Sequence, residues 1–329
     1  MEFGKHPLRS DVQIVPIEMT IAYTGSSQDD DSLLLHVVIP AYGQSEFLDF
    51  AIKSVISAVS LTTLITVLDD ASITNDSEII TSRFAGRVEF IQNESNFGLA
   101  ANFRKSFTIS RGKFTVVMGS DDQMLPGYED SLKRAVNNFP NAKVIHPNVG
   151  VINSEGILVL PFLDRIKRVI RGNASEDQLM DNTTFRYKLL IGNFMYFPAT
   201  AWHTQTLNTA NWVTSYKHAV DMDLLFKLAA SESSFVFTSA QTFNYRRRAD
   251  SVSSVLAQED TRLREELAVH WMVRNLLGDS TTKFTRILVQ LAPTIRIHAL
   301  IIGLKQLPRN PLKGIRHICR ALSPIKPVV

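Results

Sequence analysis

The sequence predicts an α/β fold built on a doubly wound sheet. Between residues 33 and 146, short apolar runs alternate with segments of helical periodicity, which is the pattern of strands joined by crossover helices. Two acidic pairs stand at the ends of apolar runs: Asp69–Asp70 directly after one run, and Asp121–Asp122 two residues after another. Because ligands bind at the C-terminal strand edge of such sheets, both observations favour the same architecture.

The elements follow in a regular order. Residues 33–39 form a continuous apolar run ended by Pro40, as expected of a buried parallel strand. Residues 45–60 place apolar side chains at helical spacing, with Ser45 as the N-cap. Further strands are predicted at 64–68, 88–91, 113–118 and 143–146, and further helices at 76–84, 99–110 and 128–139.

Beyond residue 146 the alternation fades. A hairpin-like section is predicted at 149–160, and 165–171 is interpreted as a basic loop. Helices are predicted at 183–191, 220–230 and 260–277. Residues 1–32 are interpreted as a leader ending in a polar linker, and 257–329 as a basic helical C-terminal extension.

Charge is distributed unevenly along the chain. The net charge of +3 combines nine Lys or Arg and no Asp or Glu from residue 281 onward with 26 bases and 32 acids before it. An acidic body with a basic end favours an anionic surface as a partner. We expect no nucleic acid partner, because aromatic residues are not interleaved with these charges.

The cysteine count and the apolar runs bear on the compartment. Cys319 is the single cysteine, so an intramolecular disulfide is excluded, and the N-terminus lacks the apolar core of a signal peptide. No uninterrupted apolar run reaches the roughly 18–20 residues that span a bilayer. We therefore predict a cytoplasmic protein, with the amphipathic segments 287–291 and 295–302 in peripheral contact with the inner face of the cell membrane. The alternative is that the C-terminal helices pack on the domain.

Asp121 and Asp122 stand at the end of a predicted strand. Paired carboxylates supply the hard oxygen ligands that Mg²⁺ or Mn²⁺ requires when it carries a phosphate. The alternative is a solvated turn ahead of Pro126 and Gly127.

Three other segments carry candidate binding residues. In Pro40-Ala41-Tyr42 the aromatic ring can stack on a nucleobase, although a simple strand exit has the same pattern. Asp69 and Asp70 can accept hydrogen bonds from a base N–H or a ribose hydroxyl; the alternative is that Asp70 or Ser72 caps the next helix. The third segment is a small-residue turn that opens a helix, which favours anions, and its candidate residues are Asn96, Gly98 and Asn102.

The order and spacing of the four segments resemble the nucleotide-binding half of family-two glycosyltransferases, which are inverting enzymes of the GT-A fold. Asn96-x-Gly98 followed by Asn102 is most similar to the rhamnosyltransferase-type branch. The resemblance implies a glycosyltransferase domain over 33–256, with a nucleotide-binding half at 33–126 and an acceptor half at 127–256. It also implies a donor such as a UDP- or dTDP-sugar and a divalent metal, Mn²⁺ or Mg²⁺.

The resemblance implies roles for individual residues. Asp70 would contact the base, Asp121 the ribose or the metal, and Asp122 would be the main metal ligand. Many family members carry one more Asp where Gly119 stands here. The predicted nucleotide-binding set is Pro40, Ala41, Tyr42, Asp69, Asp70, Asn96, Gly98, Asn102 and Asp121.

Asp221 is the candidate general base, since the family has an acidic motif opening a helix in its second half. Asp221 shares a helix face with apolar residues three, four and seven positions later, whereas Asp223 can pair with Lys227 at the surface. Helix capping by Asp221 is the alternative, and Val220 replaces the family's usual Glu. Arg248, in a segment resembling one that closes over the diphosphate, is a candidate diphosphate contact; the alternative is a basic surface loop.

These assignments imply inverting sugar transfer to a hydroxyl acceptor, such as a lipid-linked glycan in cell-envelope polysaccharide or O-antigen synthesis. A nucleotidyltransferase would require a Gly-rich loop with Arg and Lys after the first strand, which Ala41-Tyr42-Gly43 does not provide. A catalytically degenerate nucleotide-sugar-binding protein is the other alternative.

Overall fold

The computed structural model describes residues 33–43, 46–172, 175–210, 216, 219–231, 233–248, 260–276, 283–308 and 310–323. The predicted leader, the N-cap Ser45 and the end of the segment that follows Arg248 lie outside these described residues.

Nine strands of the described chain form one mixed sheet, in the order β3-β2-β1-β4-β8-β6-β9-β5, with β7 paired to β9. The strands are β1 (Leu35–Ala41), β2 (Leu64–Asp69), β3 (Glu89–Gln92), β4 (Phe114–Val117), β5 (Gln123–Met124), β6 (Val144–Ile152), β7 (Gln178–Met180), β8 (Ala201–His203) and β9 (Phe235–Arg246). The predicted α/β class with a doubly wound mixed sheet is confirmed.

Helices cover the sheet and continue into the C-terminal extension. They are α1 (Leu48–Ala58), α2 (Asp76–Ser82), α3 (Leu99–Thr108), α4 (Tyr128–Asn138), α5 (Phe162–Arg171), α6 (Asn182–Ile191), α7 (Thr204–Asn208), α8 (Val220–Ala230), α9 (Asp260–Leu276), α10 (Lys283–Leu291), α11 (Pro293–Gln306) and α12 (Pro311–Leu322). The predicted strands and helices of the first half all form, with ends shifted by a few residues.

Parallel pairing brings four strand ends to one edge of the sheet. Ala41 of β1 is in register with Asp69 of β2, and Asp69 is in register with Gln92 of β3. On the other side of β1, Val38 pairs with Val117 of β4. Since all four strands run the same way, the predicted binding segments that follow them share this edge.

Residues 165–171 are helical, so the predicted basic loop is wrong. They belong to α5, whose inward positions include Asp164, Lys167 and Ile170. Hydrophobic periodicity did not reveal the helix because charged residues occupy two of these inward positions. Both find partners there: Asp164 pairs with Arg247, and the Lys167 ammonium donates to the Met195 carbonyl.

Strand β9 was not predicted, although it is the longest strand described. It pairs with β5, β6 and β7, and its register against β6 shifts on either side of Asn148. Strand β9 begins with apolar residues and has a polar middle. Neither a continuous apolar run nor a strict alternation of apolar and polar residues therefore extends along its whole length.

The C-terminal helices pack on the domain. Leu288, Val289 and Ile295 belong to the same buried cluster as Phe185 and Leu189 of α6. Among the described residues, one helical stretch, Thr285–Gln306, is long and apolar enough to cross a membrane, with a mean hydropathy of 1.8 and 33% of the window buried. Ala292, at φ 37°, interrupts this stretch between α10 and α11.

Candidate functional site

Asp69 ties together the loops that follow β1 and β2. Its buried carboxylate accepts hydrogen bonds from the main-chain N–H and the hydroxyl of Ser72, at 2.8 and 2.5 Å, and from Gln92. The Ser72 hydroxyl in turn accepts a hydrogen bond from the Gly43 N–H at 2.8 Å. Asp69 thus sets the shape of the edge at which Tyr42 is exposed.

Asp70 organises the turn before α3. Its carboxylate accepts hydrogen bonds from the Phe97 N–H at 3.0 Å, the Gly98 N–H at 2.8 Å and the Asn93 amide at 2.7 Å. The same Asn93 amide donates to Asn102, at 2.9 Å. Three predicted residues, Asp70, Gly98 and Asn102, are therefore brought together, and Asn93 was missed although it directly follows β3.

Four other predicted residues lie at this edge and offer different groups. The Ala41 side chain is buried, and its carbonyl accepts a hydrogen bond from the Asp70 N–H at 2.9 Å. The Asn96 side chain accepts a hydrogen bond from the Gly98 N–H at 2.9 Å. Tyr42, after half-buried Pro40, presents an exposed ring that is available for stacking.

The carboxylates of Asp121 and Asp122 converge over Gly119. A Cβ atom placed on Gly119 would lie 2.6 Å from Asp122 Oδ2 and 3.2 Å from Asp121 Oδ1. Asp122 is 1% exposed; its Oδ1 accepts the Arg246 N–H at 2.8 Å, and its Oδ2 has no hydrogen-bond partner among the described residues. Burial, and then the negative charge of Asp121, raise the pKa of Asp122 well above its usual value.

This acid pair fits a divalent cation that completes its coordination elsewhere. A buried carboxylate oxygen without a donor is costly unless a cation or proton neutralises it. The described residues contain no group of three or more His, Cys, Asp or Glu side chains that could hold a metal. Phosphate oxygens of a ligand would therefore supply the remaining coordination.

Arg246 contacts the acid pair, although it was not among the predicted site residues. Its Nε donates to the Asp121 carbonyl at 2.7 Å, and its guanidinium lies 4.6 Å from the ring centre of Phe47. Arg248 lies 4.7 Å from the same ring centre. The two arginines thus place positive charge on one aromatic ring beside the acid pair.

Asp221 opens α8 and is held by two hydrogen bonds. The Asn193 amide donates to its Oδ2 at 2.8 Å, and the Met222 N–H donates to its Oδ1 at 2.9 Å. Burial raises the pKa of Asp221, while the positive charges of Arg262 and Lys167 oppose the rise. Asp223 pairs with Lys227 at 2.9 Å as predicted, but it is buried, so its predicted surface position is wrong.

A buried charged cluster lies beside Asp221. Asp164 binds Arg247 at 2.8 Å and accepts a hydrogen bond from the Tyr196 hydroxyl at 2.7 Å. The Lys167 ammonium lies 4.4 Å from the ring centre of Tyr196, and burial followed by the charge of Arg247 lowers the pKa of Lys167 to about 8. Lys167 is close enough to Asp164 and Asp221 for both acids to influence this pKa.

Comparison with protein families identifies the first part of the chain. Residues 36–185 match the family described as glycosyl transferase family 2. This part of the chain is therefore similar to glycosyl transferase family 2 domains. The matched range includes the exits of β1 to β4 and the Asp121–Asp122 pair. Asp221 and the three consecutive arginines that begin at Arg246 lie beyond it.

Two curated relatives match parts of the chain. An uncharacterized protein of Mycobacterium tuberculosis is 27% identical over 101 residues, which is 31% of this chain and 32% of that protein. An uncharacterized glycosyltransferase of Methanocaldococcus jannaschii is 28% identical over 136 residues, or 40% of this chain and 47% of that protein. The chain thus spans less than half the length of either relative.

Solved structures share the fold of this chain at low identity. S. aureus TarS in complex with UDP-GlcNAc has a TM-score of 0.64 at 14% identity, covering 88% of this chain and 80% of that one. GalNAc-T7 with UDP, GalNAc and Mn²⁺ has a TM-score of 0.52 at 14% identity, covering 73% and 48%. These likenesses support the GT-A fold expected from the sequence.

Proposed function

We propose that this protein is a metal-dependent, inverting glycosyltransferase that uses a nucleotide-diphosphate sugar. The observation that carries the proposal is the acid pair at the end of β4, where Asp122 has a buried oxygen with no partner among the described residues. The family 2 match over residues 36–185 supports the reaction class. A divalent Mn²⁺ or Mg²⁺ held by Asp121 and Asp122 would neutralise charge on the departing diphosphate.

The donor binds at the edge formed by β1 to β4. Tyr42 stacks on the base, and the loops held by Asp69 and Asp70 enclose the nucleoside. The remaining proposed nucleotide contacts are Pro40, Ala41, Asn96, Gly98, Asn102 and Asp121. UDP- and dTDP-sugars, including a rhamnosyl donor, are the proposed class; TarS and GalNAc-T7, which share the fold, have been solved with UDP or UDP-GlcNAc.

Asp221 is the proposed general base. It removes the proton from an acceptor hydroxyl as that oxygen forms a bond to the anomeric carbon and the bond to the diphosphate breaks. One displacement inverts the anomeric centre and releases a nucleoside diphosphate. The hydrogen bond from Asn193 orients the carboxylate, and the charges of Lys167 and Arg262 favour its ionised form.

Arg248, with Arg246, is placed to attract the diphosphate, since both guanidinium groups lie near Phe47 beside the acid pair. We propose a glycan acceptor, lipid-linked or otherwise, in cell-envelope polysaccharide or O-antigen synthesis. The basic C-terminal extension supports an acceptor presented at an anionic surface.

One observation favours a second candidate, a nucleotide-sugar-binding protein without turnover. Gly119 stands where many family members have a third acid, which leaves two carboxylates for the metal. Such a protein would bind the donor without consuming it.

The deciding experiment measures nucleoside diphosphate release from a panel of UDP- and dTDP-sugars with Mn²⁺, Mg²⁺ or EDTA. We expect slow hydrolysis of one donor class that requires metal and is lost in Asp122→Asn, with Asp177→Asn as a control at an acid elsewhere on the domain. Donor binding by thermal shift without hydrolysis, even with glycan acceptors supplied, would favour the binding protein. No binding and no turnover with any donor would refute both candidates.

A further inference from the structure

The outward side of α12 carries apolar residues that the fold leaves uncovered among the described residues. Leu312 is 79% exposed, Ile315 52% and Leu322 71%. Cys319 is exposed on the same helix. At 3.6 residues per turn, these four side chains fall within a sector of about 80° of the helix surface. We call this sector the α12 apolar face.

A close contact between two helices fixes the direction of this face. A Cβ on Gly314 would lie 2.8 Å from the Gly303 carbonyl oxygen, so α12 and α11 meet backbone to backbone. Gly314, His317 and Ala321 are buried on the side of α12 opposite the apolar face. Because the inner side is held against α11, the α12 apolar face is directed away from the rest of the domain.

Basic residues border the α12 apolar face. Lys313 and Arg316 fall in an adjacent sector of about 60° on the same helix. Exposed Leu304 and Lys305 add an apolar and a basic side chain near the end of α11. The sequence has no Asp or Glu from residue 281 onward, so no acid of this segment can neutralise them.

We propose that the α12 apolar face is a membrane-docking surface that binds an anionic lipid leaflet. A helix with an apolar sector beside a basic one lies in the plane of the bilayer interface, with its apolar side chains among the acyl chains and its cations at the headgroups. A second copy of this chain would fit less well, because two such surfaces would bring like charges together. The segments 287–291 and 295–302, favoured for this role by sequence alone, bury Leu288, Val289 and Ile295 in the core, while Ile287 and Leu291 stay exposed.

The single cysteine provides the probe. Cys319 labelled with a polarity-sensitive fluorophore reports directly on the environment of the α12 apolar face. With phosphatidylcholine vesicles containing phosphatidylglycerol, we expect a blue shift and co-flotation of the full chain. Pure phosphatidylcholine vesicles should give roughly tenfold weaker binding, since each basic residue near an anionic surface contributes to affinity.

Two variants with matched controls test the two components of the surface. Leu312→Asp with Ile315→Asp should weaken binding to anionic vesicles by at least about tenfold, whereas Leu61→Asp, at an exposed leucine after α1, should not. Arg316→Glu should weaken it by roughly fivefold and Lys113→Glu should leave it unchanged. Circular dichroism and thermal melting confirm that each variant folds.

Three outcomes would overturn the proposal: no flotation of the wild type, equal binding to neutral vesicles, or binding unaffected by the α12 variants. A label shift that depends on protein concentration without vesicles would assign the surface to self-association instead. Donor hydrolysis in solution requires no membrane, so a failure of the proposed reaction would leave the flotation result interpretable.

Discussion

The two halves of the domain hold their buried acids in different ways. In residues 33–126, Asp69 and Asp70 accept hydrogen bonds from uncharged donors, three of them main-chain N–H groups and three of them side chains. In residues 127–248, Asp164 and Asp221 face charged side chains that come from distant parts of the chain. Hydrogen bonds from uncharged donors fix the conformation of a loop, whereas neighbouring charges shift the pKa of a buried acid. Substitutions in the first half should therefore change stability and donor binding, and those in the second half turnover and its pH dependence.

The largest expected effect concerns Asp221. Asp221→Asn should lower sugar transfer by about 10²–10⁴-fold, because the amide cannot accept the acceptor proton, while donor binding is retained. Turnover measured at donor saturation, together with the donor-induced thermal shift, tests this. Asp223→Asn on the same helix is the control, expected to lower Tm through loss of the Lys227 ion pair but to keep turnover. Transfer by Asp221→Asn within threefold of wild type would remove Asp221 as the base and weaken the division between the halves.

Asp122 lies where the halves meet. Its substitution should stabilise the metal-free protein but abolish the proposed metal binding. Without metal, Asp122→Asn should raise Tm at pH 7 by a few degrees, about 2–4 °C per kcal/mol. Burial raises the pKa of Asp122, so its ionised form opposes folding as pH rises above about 3.9, and the Tm difference should vanish at lower pH.

Bound metal should reverse the difference in Tm between wild type and Asp122→Asn. At 100 times its Kd, Mn²⁺ stabilises a binding protein by about 2.7 kcal/mol. Wild type should gain this stability and Asp122→Asn should not. Equal Mn²⁺-induced shifts in the two proteins would contradict a metal site at Asp122.

Asp70→Asn tests the first half. The substituted amide group would turn an N–H toward donors such as the Gly98 N–H, so about 1–3 kcal/mol of the free energy of unfolding should be lost. Denaturant unfolding measures this loss, and the donor KM should rise because the turn before α3 loosens. Asn96→Ala, which removes a single hydrogen bond to Gly98, should cost about 1 kcal/mol. A change in the pH profile of turnover with no loss of stability would mean that Asp70 behaves like the acids of the second half.

Lys167→Met should give the smallest effect and the most specific one. The positive charge of Lys167 lowers the pKa of Asp221, so its removal should raise that pKa further. Since the base acts when deprotonated, the acid limb of the pH–rate profile should move to higher pH, by about one unit or less. Lys188→Met is the control. The Lys188 ammonium also donates to main-chain carbonyls, but these belong to Ile170 and Arg171, whereas Lys167 donates to Met195. An unchanged acid limb would show that the charged cluster does not tune the base.

The first half was predictable because its residues obey local rules. Apolar runs gave β1, β2 and β4, and the acids that follow β2 and β4 lie at the expected sheet edge. The hydrogen bonds of Asp70 could not be predicted. Its donors at Phe97 and Gly98 are main-chain N–H groups, which the sequence does not distinguish from any others.

The second half was less predictable because its contacts are between charged side chains far apart in sequence. Asp164 and Arg247 are separated by 83 positions, and neither residue shows its partner by local pattern. Charged residues on the buried side of α5 made a helix resemble a loop. Arg246 was missed because three consecutive arginines give no indication of which one turns inward, and that depends on where β9 ends.

The end of β9 connects the two halves covalently. Arg246 contacts the acid pair and Arg247, the next residue, contacts Asp164 in the cluster beside Asp221. Adjacent Cα atoms are held about 3.8 Å apart, so the two arginine side chains start from a fixed backbone spacing. Insertion of a single residue before Arg246 would move Arg246 to the side of the strand that Arg247 now occupies. The strand end therefore links the acid pair to the charged cluster beside Asp221 through two consecutive residues.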